Sequence, residues 1–421
     1  MKPEFFNSEL KLTTAPMQKC ISKMLNLQGM LLGKIEVLDE EKQIIVACRN
    51  ASRTAICPIC GKSSQKIHQV SFRIIKHGML NYRQVMLKLK VRRFKCKYCF
   101  KVFTEKFSGI NRDRSSANLK IQLLDWLRRN SFNFIGEQFK ISPSTIVRYL
   151  LKMNGDITIN WSKASITKLG IDEHSFRGHY LVITITDLSN KKLLAVLKSD
   201  SQAALVRFIR GIPDEYRAKI NEVCTDLRPS YRAVAEKMLP QAQLTADRFH
   251  VETLARRALD DIRAVIQGEG LGRRMNLKKL LWVNGCALED HEKKRLELAF
   301  QKYERFPVLK QAWIIKEKII FMYRASSEVE AEKRFNHIIM LLETAAHSHC
   351  LTALRGTLKR WKRPILNYFK NKTTNGFTEG CHTKIKMIKR VSYGFRNINN
   401  YIAKITLAFL PLIWILNYHT I

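Results

Sequence analysis

Acidic residues are scarce in this chain: 36 Asp and Glu stand against 74 Lys and Arg in 421 residues, a formal charge of +38. The excess runs from Lys2 to Lys404 rather than sitting in one tail. A surface this positive repels itself unless a polyanion neutralises it, so nucleic acid is the expected partner, ahead of an anionic membrane. Long apolar runs are missing as well. The one membrane-like stretch, "ITLAFLPLIWIL" near the C-terminal end, has 12 residues with Pro411 inside, too short to span a bilayer, and reads as buried core. The opening "MKPEFFNSELKLTT" lacks an apolar h-region, so no secretory signal is expected. There is no internal repeat and no low-complexity segment. What is present is 46% hydrophobic residues, enough to bury cores for about two or three domains rather than a disordered polyelectrolyte. Ten cysteines in a chain without a secretion signal point to thiols or a metal, not to disulfides.

"CPIC" at 57–60 and "CKYC" at 96–99 form two C-x-x-C knuckles with 35 residues between them. Two intervening residues let both sulfurs of a pair turn toward one tetrahedral ion, and the second pair closes the site. Cys57, Cys60, Cys96 and Cys99 are therefore expected to hold a structural Zn²⁺ with no open position for catalysis. Four buried or redox thiols are the alternative, and His68 is a possible substitute ligand. Between the knuckles, "VMLKLKVRR" alternates Val85, Leu87, Leu89 and Val91 with Lys88, Lys90 and Arg92, a strand with one basic face. The spacing predicts a zinc ribbon stretched by a longer hairpin.

In "SFNFIGEQFKISPSTIVRYLLKM" (131–153), Ile135 and Phe139 make a short apolar face, "KIS" a tight turn, and Ser142 an N-cap before Pro143. Ile146, Val147, Leu150 and Leu151 are expected to face inward, and Ser144, Thr145 and Arg148 outward. This is the plan of a helix-turn-helix, whose second helix sets its first residues against base edges. Any two short amphipathic helices share that pattern, and the charge tips the reading toward DNA.

From 166 the pattern changes to strands ending in acids: "ITKLGIDEHS" ends its apolar run at Asp172, "NEVCTDLRPSYRAVAEKML" holds Asp226, and "QAQLTADRFHV" holds Asp247. The β-β-β-α-β-α-β order predicts a mixed sheet with helices on its faces. A lone Asp at a strand end is usually a turn residue or helix cap. Two at similar height on neighbouring strands, joined by Glu379, can hold Mg²⁺ around a scissile phosphate. On a helix, Glu379, Thr383, Lys386 and Arg390 share one face opposite Cys381, Ile385, Ile388 and Ser392. Glu379 would then bind metal while Lys386 and Arg390 grip the flanking phosphates. Residues 250–370 read as helical almost throughout, with Ser327 and Glu330 in capping-box spacing and "GEGLGRR" at 268–274 as a flexible joint.

Three blocks carry a resemblance: "LGIDEHSFRGHY", "CTDLRPSYRAVAEKMLPQAQLTADRFHV" and "WKRPILNYFKNKTTNGFTEGCHTKIKMIKRVSYGFRN". With the spaced knuckles, they make the chain similar over essentially its whole length to transposases of the ISL-three family of bacterial insertion sequences. The resemblance implies a multidomain α+β protein. It would have an N-terminal zinc ribbon, a helix-turn-helix, and a ribonuclease-H-like mixed α/β catalytic core interrupted by an all-helical insertion. The expected divisions are an N-terminal arm (1–50), ribbon (51–108), helix-turn-helix (109–157), first core part (165–265), helical insertion (266–368) and last core part (369–421).

It further implies a catalytic triad of Asp172, Asp226 and Glu379 binding Mg²⁺ or Mn²⁺. "DRFH" resembles an Asp-x-x-His element that gives Asp247 and His250 supporting roles, with a helix cap and a packed imidazole as the plain alternative. Arg228, in a Leu-Arg-Pro run where the family more often has Met-Ser-Pro, would clamp phosphate or impair metal binding. Cys381-His382 stands where Leu-Asn is expected. Lys386, Lys389 and Arg390 are expected DNA contacts, with Ser144, Thr145 and Arg148. The expected activity is binding of terminal inverted repeats followed by strand cleavage and transfer, by a homodimer on DNA, in the bacterial cytoplasm at the nucleoid and without membrane contact. The rivals are a zinc-bearing transcriptional regulator with an inactive core and a nuclease that cuts without joining.

Overall fold

The computed structural model describes residues 15–110, 114–161, 165–268, 277–304, 306–346, 348–411 and 415. Two compact units divide the chain, Met1–Ile157 with Met387–Ile421, and Thr158–Lys386.

In the first unit, α1 (Ala15–Met24) precedes β1 (Met30–Leu38), β2 (Gln43–Asn50), β3 (Ala55–Ile56), β4 (Ser63–Ser64), β5 (Ile67–Leu80), β6 (Arg83–Lys95) and β7 (Val102–Thr104). The main sheet runs β1-β2-β6-β5, with β7 also on β6. Asn81 and Tyr82 join β5 to β6 with φ of 47° and 61°, the two positive values a two-residue hairpin turn needs. Val85, Leu87, Leu89 and Val91 are buried as the alternation requires, and Lys88 and Lys90 are exposed. Arg92 departs from the basic face: it is buried and paired with Glu105 at 2.7 Å. Residues 30–50 are not an arm. Leu32, Ile35, Val46 and Cys48 share one core with β6, so β1 and β2 are integral strands.

Helices α2 (Ala117–Leu127), α3 (Phe132–Phe139) and α4 (Pro143–Asp156) follow, each capped by a serine: Ser116, Ser131 and Ser142. Lys140, left-handed at φ 50°, ends α3, and a three-residue turn leads into α4. Gly136 lets the two helices meet, since a Cβ there would stand 2.8 Å from the Ile141 carbonyl. Ile146, Leu150 and Met153 are fully buried, whereas Leu151 is 38% exposed. The inward stripe thus follows the 3.6-residue period to Met153 instead of stopping at Leu151. Helix Ile398–Phe409 adds Ala403 and Leu407 to this three-helix core. The end of the chain therefore belongs to this unit and not to the core that carries Glu379. Its apolar residues Ile405, Leu407 and Ile415 are buried, as core rather than membrane requires.

The second unit holds β8 (Lys168–Arg177), β9 (Tyr180–Asp187), β10 (Lys192–Val196), α5 (Gln202–Arg210), α6 (Asp214–Arg217), β11 (Glu222–Thr225), α7 (Pro229–Met238) and β12 (Gln243–Ala246). The sheet order is β10-β9-β8-β11-β12; β8, β9 and β10 are antiparallel neighbours, while β11 runs parallel to both β8 and β12.

Helices α8 (Arg248–Gly268), α9 (Leu277–Trp282), α10 (Asp290–Lys302), α11 (Pro307–Met322), α12 (Glu328–Thr344), α13 (His349–Arg360), α14 (Lys362–Asn371) and α15 (Gly376–Val391) complete the order. The expected joint falls mainly at 269–276, outside the described residues. Ser327 caps α12, but Glu330 reaches back to the amide of Ser326 at 2.8 Å rather than to that of Ser327. The helices between β12 and α15 are not a separate body. Val251 and Leu259 of α8, with Ile365 and Phe369 of α14, join the core formed by Leu169, Val223 and Leu244 of the strands. Among the described residues no helix is long and apolar enough to cross a membrane.

Candidate active site and metal centres

Strand register builds the site. Ile171 of β8 pairs with Thr225 of β11, which pairs with Ala246 of β12. The next residue on each strand is an aspartate: Asp172, Asp226 and Asp247. Residues in register share a face, so three carboxylates line up across neighbouring parallel strands just past the point where the ladder ends. β8 itself continues to Arg177 against β9, so Asp172 lies inside a strand and not at its end.

Glu379 arrives from far along the chain, and the segment before α15 is tied down at two points. Buried Glu222, at the other end of β11, accepts from Thr373 Oγ1 at 2.8 Å and from Asn371 Nδ2 at 3.2 Å, and pairs with Lys168 at 3.0 Å. Asn375 donates its backbone N–H to Asp247 Oδ1 at 3.1 Å and its side-chain amide to the Ile171 carbonyl at 3.1 Å. The start of α15 then lies on the sheet over Gly170. A Cβ at that glycine would stand 2.5 Å from Thr186 Oγ1 and 2.7 Å from Thr378 Oγ1. Within this part of α15, Thr378, Cys381, His382 and Ile385 are buried, while Thr383 and Lys386 are exposed.

Four polar atoms here are buried without a hydrogen-bond partner: Asp247 Oδ2, His250 Nε2, Glu379 Oε1 and, beside Gly170, Asn375 Oδ1. Asp247, His250 and Glu379 present their ligand atoms within 4.8 Å of one another. His250 Nε2 also stands 3.8 Å from Asp172 Oδ1 and 3.9 Å from Asp247 Oδ2, too far for hydrogen bonds. Orphaned donors and acceptors in this number are costly unless something bridges them. A hard divalent cation fits carboxylate oxygens plus one imidazole. Asp226 is not in the tight trio; its Oδ1 accepts from the Arg228 amide at 3.2 Å.

The electrostatics agree with that donor set. Burial, then the charges of Asp172 and Glu173, push the Asp226 carboxyl up to about 6. Burial and neighbouring acids likewise raise Asp247 and Glu379. Burial alone would lower His250, but Asp172, Asp247 and Asp226 outweigh it and raise the imidazole.

On the other side of Asp172, His382 Nδ1 faces Oδ2 at 3.6 Å, and its Nε2 lies 2.9 Å from Thr184 Oγ1. His174 Nδ1 approaches the same hydroxyl at 2.9 Å. One hydroxyl has one proton. The two imidazoles therefore share the hydroxyl, one as donor and one as acceptor. Histidine at 382, where the resemblance expects Asn, sets its ring beside Asp172, at 3.6 Å too far for a hydrogen bond.

Of the other expected site residues, Arg228 caps α7 with its guanidinium held by Glu173 at 2.8 Å and Asp200 at 3.0 Å. Lys386 is exposed on the Glu379 side of α15, and Lys389 and Arg390 lie in the last turn, in the first unit. Ser144 and Arg148 are exposed and Thr145 half-buried on α4. Nothing in the local pattern gives Asn375, Thr378, Thr184 or Gly170 a role at the site. The "TNG" before Glu379 is the one visible signal among them, and its Asn acts through a fold contact that local pattern does not encode.

In the first unit, Cys57 and Cys99 sulfurs are 3.6 Å apart, as are those of Cys60 and Cys96. All four lie within 4.8 Å of one another, a closed four-thiolate set of the kind that holds structural zinc. Positive φ at Gly61 (70°) and Phe100 (58°) turns the chain after each knuckle. The amides of Cys99 and Tyr98 lower the Cys96 thiol to about 6, while burial and the neighbouring sulfurs push Cys99 up to about 11, so without a cation the four crowd one another.

A four-cysteine ribbon on one unit, and on the other a sheet whose strands deliver in-register acids beneath a Glu-bearing helix, define the class of DDE transposases. A family profile described as transposase, of the DDE type of ISL3 elements, matches residues 169–405. A second, described as the zinc-finger of transposase IS204/IS1001/IS1096/IS1165, matches residues 53–99. The chain belongs to the ISL3 family of insertion-sequence transposases. It is 22% identical over 383 residues to the transposase for insertion sequence element IS1001 of Bordetella parapertussis, covering 88% of this chain and 93% of that one. It is 26% identical over 268 residues to the transposase for insertion sequence element IS1557 of Mycobacterium tuberculosis, covering 57% of this chain and 59% of the other.

Proposed function

We propose that the chain binds the terminal inverted repeats of its insertion sequence and cuts and joins DNA strands through Asp172, Asp226 and Glu379, in a ribonuclease-H-like core. The observation that carries this reading is the in-register row Asp172, Asp226, Asp247, roofed by Glu379, with three unpartnered ligand atoms aimed at one point. Asp247 and His250 join the triad around the metal, which is Mg²⁺ or Mn²⁺; the imidazole tilts the set toward Mn²⁺. When bound, the divalent ion supplies Lewis acidity at the scissile phosphate and charge stabilisation for the departing oxygen.

The chain's own residues do the rest. Asn375 fixes Asp247, His382 packs its ring beside Asp172, and Lys386, with Lys389 and Arg390 along α15, contacts phosphates. Arg228 is engaged by Glu173 and Asp200, which keeps Glu173 out of the donor set; this supports a supporting role for it over a free phosphate clamp. Helices α3 and α4 act as a helix-turn-helix that sets Ser144, Thr145 and Arg148 against DNA, beside the zinc ribbon. Cleavage hydrolyses one phosphodiester at each end and leaves a 3′-hydroxyl; that oxygen then displaces a 3′-oxygen in target DNA. Two ends must be joined together, which calls for a dimer on DNA.

The test incubates the purified protein with labelled DNA ends taken from either side of its own gene, a supercoiled target plasmid, and Mg²⁺ or Mn²⁺. Cutting and joining, both lost in Asp226→Asn and Glu379→Gln with end binding intact, is the expected result. Cutting without joining makes the protein a nuclease. Binding alone makes it a regulator.

A further inference from the structure

The outer face of the β1-β2-β6-β5 sheet has no role in the chemistry above. Directly opposed residues share a sheet face. One row across four strands reads Leu31, Arg49, Lys90, Phe72, and the next reads Ala47, Lys88, Ile74. Phe72 is 63% exposed and Ile74 60%, large values for apolar side chains in the middle of a strand. Lys88 Nζ lies 5.9 Å from the Phe72 ring centre. Arg49, Lys88 and Lys90 are exposed around a groove of about 300 Å³ that Phe72 also lines.

Arg49 stands directly opposite Lys90, and like charges so placed repel each other and weaken a sheet. Three other cations of the same sheet have carboxylate partners. Arg92 is paired with Glu105 at 2.7 Å, Lys34 with Glu36 at 3.1 Å, and Arg83 with Asp39 at 2.6 Å. Among the described residues no carboxylate does this for Arg49, Lys88 or Lys90. A second copy laid on this face would bring cations against cations. A polyanion suits the charges, and the exposed ring chooses between polyanions. A duplex offers a flat sheet its phosphates and keeps its bases stacked away from Phe72. A single strand offers phosphates to the cations and an unstacked base to the ring.

We propose that this face is a binding site for single-stranded DNA, with the backbone along Arg49, Lys90 and Lys88 and a base stacked on Phe72. The site uses no residue of the catalytic unit, so it stands or falls apart from the proposed chemistry.

Fluorescence anisotropy on the full-length protein tests it, with a labelled thymidine oligonucleotide and a duplex of equal length, over a salt series. Phe72→Ala is expected to weaken single-strand binding roughly 5- to 100-fold, the usual worth of one base–aromatic stack, and to leave duplex binding within about twofold. Phe72→Tyr keeps the affinity and Phe72→Leu does not, which separates stacking from apolar bulk; zinc content and melting temperature check folding. Replacing Lys88 and Lys90 by Gln lowers the slope of log affinity against log salt by about 1.4 for the single strand. Equal losses on duplex and single strand overturn the proposal, as does unchanged binding in Phe72→Ala. No single-strand binding by the parent chain also overturns it, as does dissociation of a protein dimer by Phe72→Ala, the sign of a second copy on this face.

Discussion

Replacing Asp226 by Asn removes one charge from a site where Asp172, Asp247 and Glu379 also gather, with Glu173 alongside. The Asp226 carboxyl is raised from 3.8 to about 6 by burial, then by the charges of Asp172 and Glu173. A raised acid favours the folded state only while protonated. That contribution is full below about pH 4, fades as pH rises through about 6, and is gone at pH 8. Two pH units correspond to about 3 kcal/mol, so ionised Asp226 costs the metal-free fold about 2–3 kcal/mol at pH 8. Asn keeps an oxygen for the Arg228 amide and carries no charge. Metal-free Asp226→Asn, with its zinc retained, is therefore more stable than the parent at pH 8 by about 2–3 kcal/mol, or roughly 4–12 °C for a unit of this size. The two proteins converge near pH 4. Urea melts followed by tryptophan fluorescence measure this, since Trp161, Trp282, Trp313 and Trp361 report on the catalytic unit. In the same variant, saturating Mn²⁺ raises the melting temperature less than in the parent. An Asp226→Asn protein no more stable than the parent at pH 8 would refute the reasoning, because the carboxylates would then not crowd one another.

Further outcomes follow from named contacts. Gly170→Ala forces a methyl against Thr186 and Thr378, so urea denaturation shows a loss of about 1–3 kcal/mol, and the Mn²⁺-induced rise in melting temperature shrinks as α15 is displaced. His382→Ala removes the polar ring beside Asp172 and weakens Mn²⁺ binding about 10-fold by isothermal titration, while His382→Asn, which keeps a donor near the carboxylate, retains most of it. Cys96→Ser lowers the zinc content measured by atomic emission from about one ion per chain to near zero, with the Mn²⁺ response of the catalytic unit unchanged.

The elements that local rules govern are the ones legible in the chain. The two C-x-x-C knuckles specify their own turns, so four sulfurs meet whatever lies between them. The serine caps at 131 and 142 and the apolar period of α3 and α4 depend on neighbours a few residues away. The strand-helix boundaries at Asp226 and Asp247 are marked by Pro229 and by the switch from apolar run to helical period. The reading of Leu151 as core fails for a small reason: the helix phase at 146 and 150 selects 153 as well as 151, and packing chooses.

What distance decides is different in kind. Charge and pattern alone imply a nucleic-acid protein with acids after strands and one acid on a basic helix. They do not say that β1 and β2 pair with β6 or that helix Ile398–Phe409 joins the three-helix core. Nor do they say that the helices after β12 share a core with the sheet, because each of these rests on apolar faces that fit several partners equally well in sequence. Register is the deepest case. A one-residue slip of β11 would turn Asp226 to the opposite face, and only the paired strands, with Gly170 clearing room for α15, hold Asp172, Asp226, Asp247 and Glu379 together.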